Sequence, residues 1–276
     1  MTNMFGHQFV IHALVAGSAV AVLCGLVGYF LVLRGQVFAG DALGHVGYTG
    51  AMAALVAGLD PRAGLFGATV VSGLALGFGG ARRLGDLAIG TFFSWVLGLG
   101  VLFLTLYTTY GATGNGAANV NVLFGSIFGV NTQAAKTSVV VAAVACVLLI
   151  GMARPLLFAT IDPAVAQAAG VPTRLIAALF LALVGATVAE GTQIVGALIV
   201  LGLMAAPAAA AARLTNRPWR GFWLSAVLST AAVWAGVTLA YAIPAAPATF
   251  LIMACAAAIY AGAALLTTGR RSTGTG

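Results

Sequence analysis

About nine runs of apolar residues, most of them close to twenty residues long, are separated in this chain by short clusters of arginine, glycine and proline. About 20 residues of helix cross the hydrocarbon core of a bilayer, so the runs are long enough to span it. They are continuous rather than alternating, which excludes an outer-membrane barrel. With 62% hydrophobic and 6% charged residues, and a mean hydropathy of +1.09, the chain lacks the polar residues to cover a soluble surface. The predicted fold is therefore an all-α polytopic membrane protein, residues 1–276 forming a single transmembrane domain of about 8–9 helices.

Breaks at charges, prolines and turn clusters place the spans at roughly 9–33, 40–58, 63–81, 87–109, 134–153, 175–190, 193–212, 221–242 and 247–268. The first run lacks a preceding basic segment and is too long for a signal-peptide core, so it reads as a retained span. The sixth is short and joins the seventh through Glu190-Gly191-Thr192-Gln193, a partly re-entrant hairpin near the outer face. The tail from about 270 to 276 is expected to be disordered.

The net charge of +7 is not a nucleic-acid footprint, because no basic stripe with interleaved aromatics appears. Counting alternate loops from Arg34 collects ten of the twelve Lys and Arg residues, leaving Arg62 and Lys136 on the other side. By the positive-inside rule this sets the Arg-rich loops and the C-terminus in the cytoplasm and the N-terminus outside. Cys24, Cys146 and Cys255 lie far apart in apolar runs and read as small packing residues, not a metal site or a disulfide framework.

Against this background Asp41 and His45, in Phe38-Ala39-Gly40-Asp41-Ala42-Leu43-Gly44-His45, stand out. Groups at i and i+4 project from one helix face. Ionisable side chains at membrane depth are costly and usually functional. Two readings stand side by side: a site that handles a cation, or a capping aspartate with a histidine bonded to a neighbouring helix.

Other elements carry weaker signals. Asp162 suits a helix N-cap, Pro163 the first helical position, and Gly170 with Pro172 the stop. They predict a helix of about two turns in the longest Arg-flanked connection, about 154–174, either a docking element or an ordinary connecting helix. Residues 119–131 are apolar, shorter than a span and punctuated by glycine, as in a broken or re-entrant segment. Pro207 near the inner end of a span marks a kink or a candidate gate. Glu190 is a candidate point of access for a cation, with a rim residue bonded to its own hairpin as the plainer reading. Asp60 reads as a turn or capping residue. The only lysine, Lys136, is not in a P-loop, and neither a zinc-protease motif nor a Gly-x-Ser-x-Gly elbow occurs.

These stretches together resemble the permease subunits of ABC-type zinc, manganese and iron importers. Leu33-Arg34 with Gly40-Asp41-Ala42-Leu43-Gly44-His45 is similar to the family's G-D-x-L-x-H region. Leu123 to Val130 resembles its LFG segment, Asp162 to Val171 its cytoplasmic coupling segment, and Val195 to Leu214 its VG, PAA and ARL span. Nearly the whole chain is covered, in order. The resemblance implies a homodimer, two cytoplasmic ATPase subunits and an extracellular metal-binding protein. It also implies that Asp41 and His45 are metal ligands and that Asp162, Pro163, Ala166, Gln167 and Gly170 couple to the ATPase. Gly44 departs from the Ser or Ala of relatives, which is expected to loosen helix packing more than to alter coordination.

The expected function is the permease of an ATP-driven divalent-metal importer in the plasma membrane, with zinc, manganese or iron as cargo and no tightly bound cofactor. It is not itself an enzyme, and its partners are its second copy, the ATPase, the delivery protein and lipid. The alternative is a stand-alone secondary cation transporter or channel, which has no need of a cytoplasmic docking helix and often shows two related halves. An Asp and a His from each of two copies offer two oxygens and two nitrogens, which suit zinc and accept manganese or iron.

Overall fold

The computed structural model describes residues 8–79, 86–110, 127–243 and 246–272. Among them run nine long helices and one short one: α1 (Gln8–Leu33), α2 (Val37–Val56), α3 (Pro61–Phe78), α4 (Asp86–Tyr110), α5 (Thr132–Ile161), the short α6 (Pro163–Ala168), α7 (Thr173–Ile194), α8 (Ala197–Leu214), α9 (Pro218–Ala242) and α10 (Ala248–Ser272). A single 3₁₀ turn, Ile127–Gly129, precedes α5. The all-α fold follows from the solvent: hydrocarbon offers the backbone no hydrogen-bond partner, so each run satisfies its own amides internally. Where the chain leaves the apolar runs, side chains take over. Asp60 accepts from the Arg62 amide at 2.9 Å to start α3, and Asn131 accepts from the Ala134 amide at 2.8 Å to start α5.

The nine long helices follow the predicted spans in order, with three differences. Helix α7 runs straight through Glu190-Gly191-Thr192-Gln193, and the break comes later, at Val195-Gly196, where Gly196 adopts φ 104°. The residues of that break, Ile194, Val195 and Gly196, are all buried. Irregular backbone at membrane depth is tolerated where protein covers it. Helix α10 continues to Ser272, past the expected start of the disordered tail at residue 270, and 273–276 lie outside the described residues. Of the segment predicted as re-entrant, 119–126 also lies outside them. Its end forms the 3₁₀ turn, with Phe128 edge-on to Phe9 of α1 at 5.8 Å.

Seven of the described helices are long and apolar enough to cross a membrane. Helix α2, with its aspartate, histidine and glycines, is not among them, and α8 contributes the shorter apolar stretch Ile199–Leu214. Helices α1 and α7 form the interior. Helix α1 is surrounded by α5, α7, α8 and α9, while α7 lies against α3, α5 and α2. Backbones meet where side chains are absent: an added Cβ on Gly28 would lie 2.0 Å from the Met204 carbonyl oxygen, and one on Gly73 would lie 2.3 Å from that of Leu181. Such close approach is how helices associate in lipid, where apolar burial gives no preference for protein over acyl chain.

At one end of the bundle Arg34 donates to Gln36 and Thr160 and lies 5.6 Å over the Phe180 ring. At the other end His12 and Thr132 are 3.3 Å apart. These contacts set the end of α1 beside the end of α5, and the start of α1 beside the start of α5.

Candidate metal centre

Asp41 is inside α2, not at its edge. The N-cap is Gln36, without a side-chain capping bond, so the capping reading of Asp41 fails. One turn on, His45 projects from the same face. Neither side chain hydrogen-bonds to another described residue; the His45 ring instead meets Phe93 of α4 edge-on, with centroids 4.9 Å apart and planes at 85°. Both are only partly exposed. They line a cavity of about 40 Å³ with Gly40 and Gly44, facing Val188 of α7 and Ala197, Val200 and Leu201 of α8. Val188 lies about 20 Å along α7 from its start, so the cavity sits well within the bundle.

An acidic oxygen and an imidazole nitrogen without hydrogen-bond partners among the described residues, facing one small cavity walled by valine, leucine and alanine, are donors held open. The low-dielectric wall strengthens any attraction of the carboxylate for a cation. Among the described residues no group of three or more His, Cys, Asp or Glu gathers in one place. A single chain thus offers two protein ligands here, short of the four to six that divalent metals take.

Gly44 bears on the space between α2, α7 and α8. A Cβ at this position would meet only Val188 Cγ1 at 3.8 Å and the Ala197 carbonyl oxygen at 3.9 Å, ordinary contacts. The glycine therefore leaves those contacts unmade and the space to the cavity.

The remaining predicted residues lie elsewhere. Glu190 is not a rim residue: it is 4% exposed, and its Oε1 accepts a hydrogen bond from the Ser138 hydroxyl of α5. Pro207 lies within α8 and is buried. Lacking an N–H, it leaves the Leu203 carbonyl without its helical partner, and the Ser229 hydroxyl of α9 donates there at 3.4 Å. Asp162 caps α6 as expected, accepting from Ala164 and Val165 amides at 3.0 Å each, and Gly170 takes φ 80° to end the turn. Pro163, Val165 and Gln167 are exposed, and Gln167 donates to Thr173 at 2.8 Å. Ala166 is fully buried against its own chain and presents nothing to a partner.

Phe93, Val188 and the first turn of α8 were not foreseen as parts of the site. Only tertiary packing brings them to α2, and no spacing in sequence signals it. A larger cleft of about 330 Å³ opens at the Arg34 end, between Tyr29, Leu157, Thr160, Thr215 and Pro218. None of the residues lining it is acidic, basic or imidazole.

The class defined so far is a polytopic helical membrane protein with an acid–imidazole pair facing an internal cavity. Residues 6–267 match the ABC 3 transport family, and the chain belongs to that family. It is 30% identical over 237 residues to the manganese transport system membrane protein MntC of Halalkalibacterium halodurans, covering 85% of this chain and 80% of the relative. It is 29% identical to a probable iron transport system membrane protein of Haemophilus influenzae, covering 85% of each. Among solved structures, PsaBC from Streptococcus pneumoniae in complex with Fab superposes with a TM-score of 0.81 at 24% identity, over 95% of this chain and 92% of that one.

Proposed function

We propose that this chain is the membrane-spanning permease subunit of an ATP-driven importer of divalent transition-metal ions, with manganese as the leading cargo. The observation that carries the proposal is the Asp41–His45 pair, one helical turn apart, without a hydrogen-bond partner among the described residues and facing an internal cavity. Family membership and the manganese and iron transport names of the relatives support the cargo class. Asp41 supplies a charged oxygen that offsets the ion's lost hydration, and His45 a neutral nitrogen. A second copy of the chain, related by a two-fold axis, doubles the set to two oxygens and two nitrogens. Selectivity then rests on geometry and on the protein that delivers the ion.

ATP is hydrolysed by two separate cytoplasmic subunits, which dock on α6. The docking face is Pro163, Ala164, Val165 and Gln167, with Val165 52% exposed. The ten-to-two split of basic residues sets the Arg34 end of the bundle in the cytoplasm, the N-terminus outside and the C-terminus inside the plasma membrane. Pro207 is a structural kink held by Ser229 in this reading, not a moving gate. A stand-alone transporter has no use for the capped, exposed α6.

The test is uptake of radioactive manganese by proteoliposomes holding the permease, its ATPase and the delivery protein. Asp41→Asn and His45→Ala each abolish uptake while assembly with the ATPase persists. Uptake at the normal rate by both variants overturns the assignment. Val165→Glu on the docking face weakens metal-stimulated ATP hydrolysis; unchanged stimulation refutes the docking assignment.

A further inference from the structure

Glu190 is a buried carboxylate that the ion site does not use. Its partner comes from another helix: the Ser138 hydroxyl of α5 donates to Oε1. Leaving such a group without partners in an apolar interior is strongly unfavourable, so the contact constrains where α7 can lie.

Its place in the chain gives that constraint a consequence. Val188, two residues earlier, lines the cavity before Asp41 and His45, as do Ala197, Val200 and Leu201 just after the break at Val195-Gly196. Glu190 lies between these two stretches of wall and bonds to α5, which contributes nothing to the cavity. The residue after it, Gly191, lets α8 close in: a Cβ there would stand 2.7 Å from Val200 Cγ2. The wall opposite the ligands is thus a bent segment tied to α5 from behind. The cavity it bounds is about 40 Å³, small enough that a small shift of the wall changes what fits.

We propose that Glu190, held by Ser138, is a positioning residue for metal binding: it fixes the α7–α8 bend and with it the wall facing Asp41 and His45. The inference rests on the Asp41–His45 site. General stability has a separate source, since α3 and α7 are closed together further along by Gly73, Gly77 and Gly185, where an added Cβ would meet backbone of the other helix at 2.2–2.4 Å.

The experiment is equilibrium binding of radioactive manganese to the purified permease–ATPase complex without the delivery protein, with melting temperatures measured alongside. Glu190→Ala and Ser138→Ala each raise the Kd roughly five- to tenfold, about the value of one hydrogen bond. Ser138→Ala, which leaves the buried carboxyl without that donor, also lowers the melting temperature, and the double variant binds no more weakly than Glu190→Ala alone, as expected of residues acting through one contact. Glu190→Gln, which still accepts from Ser138, recovers part of the affinity. A wild-type Kd in Ser138→Ala overturns the proposal even if Glu190→Ala does not fold, and so does a double variant whose loss is the product of the single losses. Asp41→Asn separates the two readings. Normal binding in Asp41→Asn removes the site itself; lost binding there, with a wild-type Kd in both Glu190→Ala and Ser138→Ala, removes only the positioning role.

Discussion

Helices α1 and α5 are equally apolar, yet 67% of the most apolar window of α1 is buried within the chain against 28% of that of α5. Helix α1 sinks into the centre between α5, α7, α8 and α9, whereas α5 turns Val140, Val144, Val147 and Leu148 outward. The difference teaches that hydropathy identifies a span and says nothing of its place in the bundle, because lipid and protein interior are alike to an apolar side chain. What separates the two helices is where small residues meet backbone. Gly25 and Gly28 of α1 lie against Ser225–Ala226 and Met204, while an added Cβ on Gly151 of α5 meets nothing within 4 Å.

The sharpest way to break this comparison is to enlarge matched glycines. Gly28→Leu drives a side chain into the Met204 backbone and eliminates the folded, monodisperse protein in detergent, as read by size-exclusion chromatography. Gly151→Leu leaves the elution profile intact. Equal loss in both would show that position in the bundle does not govern tolerance.

A smaller effect separates adjacent residues of α5 itself. Leu149 is fully buried and Leu148 is 58% exposed. Leu149→Ala leaves a cavity and costs about 2 kcal/mol or more, whereas Leu148→Ala trims an exposed side chain and changes stability by less than about 0.5 kcal/mol. Thermal melts of the two variants in one detergent check this. Similar shifts would mean that α5 has no buried stripe.

The smallest effect concerns hydroxyls. Ser229→Ala removes the donor to the Leu203 carbonyl that Pro207 leaves open, and lowers stability by about 1 kcal/mol. Thr137→Ala, on the exposed face of α5, removes only a bond to its own helix and is close to neutral. A silent Ser229→Ala would show that the kinked helix α8 needs no bond from α9.

The spans were legible in sequence because length and apolarity alone satisfy a helix in hydrocarbon, and so were the caps at Asp60 and Asp162, whose chemistry is local. The bend between α7 and α8 was misplaced at Glu190 to Gln193. There the polar residues look like a loop, yet Glu190 is accommodated by Ser138, a residue 52 positions away. Ala166 was taken for a contact residue because a short capped helix does not announce which of its faces its own chain covers.

By itself the sequence determined an all-helical membrane bundle, the order of its spans and the pair Asp41 and His45 on one helical face, since periodicity and solvent are properties of the chain alone. Only the tertiary structure decided that α1 and α7 are central, that Phe93, Val188 and the start of α8 enclose the pair, and that Glu190 faces α5. Those outcomes depend on where small residues allow backbones to approach and where buried polar groups find distant partners, and neither is encoded in any one stretch of sequence.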